Sequence, residues 1–161
     1  MSLGSPSAQT ELRRAVTVAT PILERISDAD AARPRSPGKW SRKEIVGHLI
    51  DSASVNHERF VRAQLTDDLI CPTYDQEAWV RLQRYADAPW SELVSLWSLF
   101  NFHLARVMEA VPVEMRMRER ARHNLNQVAF RTIPSEQPVT LDYFMHDYVA
   151  HLAHHLAQIV E

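Results

Sequence analysis

Four stretches of this chain repeat apolar residues at the three-and-four-residue spacing of an amphipathic helix, and nothing comparable alternates as a strand would. The first spans about Ala8 to Ile26, with Leu12, Val16, Ala19, Leu23 and Ile26 in register and Pro21 expected to kink or bound it. The second opens at a capping box, Ser41 with Glu44 three residues on, and Trp40 before it is placed to staple onto Ile45. It continues to about Leu65 through Ile45, Leu49, Ser52, Val55 and Phe60. The third starts near Pro89 and carries Leu93, Leu96, Trp97, Phe100, Leu104, Val107 and Met108 to Val111–Pro112. The fourth starts at Thr140, an N-cap residue, and runs on with Leu141, Met145, Tyr148, Leu152, Leu156 and Ile159 facing inward. Only 3 glycines interrupt a chain rich in Ala, Leu, Arg and Glu, which are helix formers.

These patterns predict an all-α protein, a four-helix bundle built as one domain over residues 1–161. Tyr74–Tyr85 reads as a short accessory helix in the second connection. Pro112 to Pro138 reads as a long loop between helices 3 and 4. A single cysteine, Cys71, excludes an internal disulfide and suits a reducing compartment. No apolar run reaches the ~20 residues of a membrane span, and a signal-peptide core is not expected from the N-terminal sequence. The expected location is the cytoplasm. A formal charge of −2 gives no reason to expect nucleic acid as partner.

The chemistry concentrates in histidines. His151 and His155 stand four residues apart on the last helix, so both can reach one point, with His154 turned towards the rim. Neutral imidazole is a common ligand for a divalent transition metal, and a catalytic site needs a third ligand and an open position. His48 on the second helix is the candidate third. Asp51 and Asn56 follow it at spacings that keep polar groups near its face, and Asp51 or Asp147 could take the outward N–H of a ligating imidazole. For His57, His103, His123 and His146, exposure or a local hydrogen bond is the expected state. Trp79, Trp90 and Trp97 are expected in the core. Two readings stay open for the Arg-rich run Glu114–His123: a solvated linker, or a border of the site at which Arg116, Arg118, Arg120 or Arg122 attracts an anion. No phosphate-cradling glycine loop or nucleophile elbow is present, and Cys71 has no evident activating partner.

The run Gly38–Ser52, with Trp40-Ser41 followed by His48-Leu49 and Asp51-Ser52, resembles the opening signature of the DinB/YfiT-like superfamily. Tyr148–Ile159, with His151, His154 and His155, resembles its closing motif, and the likeness extends from about Pro37 to the end. The resemblance implies His48, His151 and His155 as metal ligands in a bundle of unusual helix order, frequently a homodimer. Gln158 stands where some members carry another histidine. It further implies either of two activities on a small-molecule substrate. One is activation of a low-molecular-weight thiol, such as bacillithiol or mycothiol, for S-transfer to an electrophile. The other is hydrolysis by metal-bound water. Zn²⁺ or Ni²⁺ suits such ligands. A non-catalytic helical metal-binding module is the alternative from another class.

Overall fold

A computed structural model describes residues 6–160; Met1–Ser5 and Glu161 lie outside it. Four long helices dominate: α1 (Ala8–Glu24), α3 (Arg42–Arg62), α5 (Trp90–Ala110) and α8 (Leu141–Val160). Between them lie the short helices α2 (Asp28–Ala31), α4 (Gln76–Leu82), α6 (Val113–Met117) and α7 (Leu125–Val128), with a 3-10 turn at Tyr85–Asp87. No strand forms among the described residues, where backbone pairing outside helices amounts to isolated bridges such as Arg120 with Val139. None of the helices described is long and apolar enough to cross a membrane.

Each long helix buries its expected stripe. Leu12, Val16 and Leu23 of α1, Leu49 and Phe60 of α3, Trp97, Leu104 and Met108 of α5, and Leu141, Met145 and Leu152 of α8 are essentially inaccessible. Burial of each such side chain contributes about 1.5–3 kcal/mol before entropy is counted. α5 packs against α1 and α3, and α8 also packs against α1 and α3. The circular order is therefore α1, α5, α3, α8, and the first two long helices stand diagonally opposite. The connections over 25–41 and 111–140 are long enough to cross the bundle end. This order sets α3 and α8 side by side, which is what the site requires. Across the diagonal, the buried Tyr148 hydroxyl donates to Asn101 Oδ1, while Asn101 Nδ2 donates to Trp97 O.

The ends of the elements follow local chemistry. Ser41 Oγ accepts from Glu44 N and Glu44 Oε2 accepts from Ser41 N, closing the expected capping box. Thr140 Oγ1 accepts from Tyr143 N at the start of α8. The start of α5 has no side-chain cap of its own. Asp28 supplies one from α2, accepting from Trp90 N at 2.8 Å while pairing with the buried Lys43 ammonium at 2.9 Å.

Several expectations need correction. α1 continues one turn past Pro21 and ends at Glu24 rather than Ile26, while α3 ends at Arg62 rather than Leu65. Leu96 sits 51% exposed instead of in the core, since the buried stripe of α5 runs through Leu93, Val94 and Trp97. Trp79 is 38% exposed and packs its ring at a tilt against Tyr74, so only Trp90 and Trp97 of the three expected tryptophans are core. Trp40 needs no such correction: it packs against the core that contains Ile45, and its ring also lies 5.2 Å from that of His48. The stretch from Pro112 to Pro138 is no bare loop, because α6 and α7 interrupt it and Arg120 anchors it.

Candidate metal centre

His48 projects from the middle of α3 and is fully buried, whereas His151 and His155 project half-buried from successive turns of α8. The contact between the two helices brings one ring nitrogen of each histidine within 4.8 Å of the others. His48 Nε2 and His151 Nε2 are 3.2 Å apart. Two nitrogens each about 2.0–2.1 Å from a tetrahedral ion stand roughly 3.3 Å apart, so this pair is already at ligand spacing. The three rings make a compact cluster, with His48 and His155 centroids 4.7 Å apart and His151 and His155 4.6 Å. Among the described residues no other group of histidine, cysteine or carboxylate side chains is so placed.

The electrostatics suit a cation. Burial, with a contribution from His155, holds His48 down to about 4. Burial together with His155, His48 and His154 holds His151 down to about 3. His155 is also lowered, chiefly by burial. All three rings are thus neutral at physiological pH, the state in which imidazole binds metal. Burial and the neighbouring imidazoles disfavour a proton on any one ring, which leaves three neutral nitrogen lone pairs close enough to share one ion.

The outward nitrogens are held unequally. His155 Nδ1 donates to Gln158 Oε1 at 3.0 Å, and Gln158 Nε2 donates in turn to His154 Nε2 at 3.1 Å. That chain fixes the His155 tautomer and leaves its Nε2 as the available donor atom. Gln158, the departure from the histidine found in some relatives, therefore orients a candidate ligand, and His154 takes the expected exposed position. His151 Nδ1 lies 3.4 Å from Ser52 Oγ. His48 Nδ1 is buried without a partner.

Asp51 takes a different job from the one its spacing suggested. Its Oδ1 accepts from Gln83 Nε2 and the Tyr85 hydroxyl, both at 2.7 Å, and no hydrogen bond joins it to His48. It ties the accessory helix to α3. Asn56 reaches the cluster only through Ser52, donating to the Ser52 carbonyl at 2.9 Å and the hydroxyl at 3.4 Å. Asp147 faces away from the ligand role as well: its carboxylate accepts from the backbone amides of Phe130 and Arg131. That contact seats Phe130, whose ring lies 5.4 Å from His151.

The cluster opens onto a cavity of about 410 Å³ lined by polar and aromatic groups, including Asn56, Arg59, Tyr74, Phe130, Asp147 and the α8 histidines. A second, more apolar cavity of about 510 Å³ shares the wall formed by Arg59, Thr73 and Tyr74. None of the arginines in the 114–123 run lines the first cavity. Arg116 pairs with Asp142, Arg118 with Asp67 and Arg122 with Asp68, while Arg120 is buried, donating to the carbonyls of Ala63 and Thr66. The segment is a structural clasp, and its border-of-the-site reading falls. The guanidinium at the cavity is Arg59, which nothing local in the sequence marks. Only its position, eleven residues past His48 on the same helix, was there to suggest it. Of the remaining histidines, His103 is exposed and His123 hydrogen-bonded as expected, whereas half-buried His57 has ring contacts instead and His146 bonds to a distant residue. His123 Nε2 is 2.8 Å from Gln137 O, His146 meets Glu11, and His57 packs against the exposed His103. Cys71 is buried, and burial pushes its thiol up, which excludes it as a ready nucleophile.

Comparison with known proteins agrees with the fold. The sequence matches the family model described as the DinB superfamily over residues 9–159. It is 24% identical over 139 residues to a Bacillus subtilis (strain 168) protein named "Putative metal-dependent hydrolase YfiT", covering 86% of this chain and 72% of that one. The solved structure of YfiT superposes with a TM-score of 0.76 at 20% identity, covering 95% of this chain and 82% of the other. That structure is described as having "an unusual four-helix bundle topology", the fold seen here.

Proposed function

The chain belongs to the DinB superfamily, and from that premise we propose that it is a metal-dependent enzyme acting on a small molecule. His48, His151 and His155 would hold a divalent ion, Zn²⁺ or Ni²⁺ by ligand type. When bound, such an ion would supply Lewis acidity, lowering the pKa of a thiol or of water. The favoured reaction is S-transfer: the sulfur of a low-molecular-weight thiol forms a bond to an electrophilic carbon. The thiol proton passes to solvent, and any leaving group departs with its electron pair.

One observation carries the choice. Asp147 is the carboxylate lining the cavity, and both its oxygens already accept amide hydrogens. Among the described residues, no free carboxylate on the cavity wall stands ready to take a proton from water. A thiol, ionising near 8.5, starts about seven units closer to neutrality than water and needs less help. The chain's own residues do the positioning. Gln158 and Ser52 hold the rings of His155 and His151, and Phe130 and Phe144 give the cavity wall an aromatic surface. Hydrolysis is the second reading, favoured by the name of the Bacillus relative.

Metal analysis of untagged protein tests the foundation. The wild type is expected to retain close to one divalent ion per chain, and His151→Ala to lose it. Equal, sub-stoichiometric metal in both proteins would overturn the proposal. Turnover of electrophiles with and without added thiol then separates the two reactions, since thiol-independent product identifies hydrolysis.

A further inference from the structure

Arg59 is only 7% exposed, yet among the described residues its charge meets no carboxylate within ion-pair distance. Neighbouring Glu58 is already engaged by Arg62 at 2.6 Å. The Arg59 guanidinium has one firm acceptor, the Pro72 carbonyl at 2.7 Å from Nη2. Its contact from Nη1 to Asn56 Oδ1 is stretched to 3.5 Å, and Nε–H is buried with no acceptor. The ring of Phe144 lies 5.9 Å from its central carbon. A guanidinium stays protonated even when buried, so this wall carries a positive charge that the protein leaves largely uncompensated. Leaving a buried charge short of acceptors costs stability, and such a cost persists where a ligand repays it.

The wall stands between the two cavities and shares the lining of the first with His151 and His155. Neutral rings offer Arg59 no counter-charge, and Asp147 spends its oxygens on the backbone of Phe130 and Arg131. We infer that Arg59 receives the carboxylate of the small molecule bound at the histidine cluster, so that the enzyme selects an acidic thiol over its neutral analogue. This deepens the reading of the cavity as a small-molecule site and rests on it. Arg59 is suited to the role because its planar fork matches a carboxylate, and its helix position fixes the distance from His48 to the charge. The apolar second cavity, reached past the same side chain, is available to the uncharged remainder of a ligand.

The test uses N-acetylcysteine and its uncharged amide, titrated calorimetrically into metal-free and metal-loaded protein. The acid is expected to bind metal-free wild type roughly tenfold or more tightly than the amide, the scale of one charge-assisted hydrogen-bonded contact. Arg59→Met should bring the two to parity, and Arg59→Lys should leave an intermediate preference. A readout without loss of the charge comes from the ¹⁵N spectrum. The Arg59 Nε–H signal, assigned by its disappearance in Arg59→Lys, should move with the acid and stay still with the amide. Equal binding of acid and amide, no binding of the acid at millimolar concentration, or an unmoved signal overturns the inference. The comparison is made first without metal, so a protein that fails to bind metal still gives a decisive result for Arg59. Intact metal binding without acid preference removes Arg59's role alone.

Discussion

Replacing Gly47 by Ala sets helix propensity against packing, and the structure says packing wins. Gly47 lies inside α3, where alanine is better than glycine by roughly 1 kcal/mol. An alanine Cβ at this position would sit 2.2 Å from both Cγ and Cδ2 of Tyr85 and 2.8 Å from its Cβ. Ordinary carbon contacts lie at about 3.5–4.0 Å. The clash reaches the root of the side chain, so a change of rotamer cannot relieve it and the Tyr85–Asp87 turn must move outward. That movement costs about 1–3 kcal/mol as overpacking. It also draws the buried Tyr85 hydroxyl from Asp51 Oδ1, 2.7 Å away, for a further loss of about 1 kcal/mol. With the propensity gain subtracted, Gly47→Ala should destabilise by about 1–3 kcal/mol. For a chain of this size that lowers Tm by roughly 2–12 °C. Thermal unfolding followed by circular dichroism reads the shift. On a Tyr85→Ala background the obstacle is gone, and the same glycine replacement should become neutral or stabilising by up to about 1 kcal/mol. A Gly47→Ala protein as stable as wild type would refute the reasoning, as would an equal loss on both backgrounds.

Asp28 gives a pH-dependent effect. Its carboxyl is lowered from 3.8 by its hydrogen bond to Lys43 and by the amide of Trp90. A lowered carboxyl contributes stability above its unfolded value, and that contribution disappears as pH falls through the lower folded value. Asp28→Asn should therefore melt below wild type at neutral pH, with the gap closing in acid below about pH 3.8; a gap constant across pH would count against it. Asp147→Ala removes the acceptor of two backbone amides and should destabilise by about 1–3 kcal/mol. Hydrogen exchange at Phe130 and Arg131 should accelerate more than at the core of α8, and uniform acceleration would show that the carboxylate does not hold that segment in particular.

Legibility in the sequence tracks the range of the interaction involved. The caps at Ser41 and Thr140 and the stripes of α1, α3 and α8 depend on residues three or four apart, and the sequence displays them directly. The triple of His48, His151 and His155 could be named because two of its members share a helix face and the third sits in a recognisable motif. Asp51 and Arg116 to Arg122 illustrate the opposite case. Each has chemistry compatible with the site, but which partner a charged side chain meets depends on elements tens of residues away. Tyr85 claims Asp51; Asp142, Asp67 and Asp68 claim arginines.

The order of residues was enough to make this protein helical, to start its long helices where they start, and to supply the imidazoles that could meet. Laying α3 against α8 while the first two long helices stand apart took the packed bundle, because amphipathic stripes specify what is buried but not against which neighbour. The same packing put Arg59, rather than the arginine-rich run, on the wall of the cavity that His151 and His155 also line. A side chain's electrostatic role depends on what the fold places beside it, and that information is not carried by its neighbours in the chain.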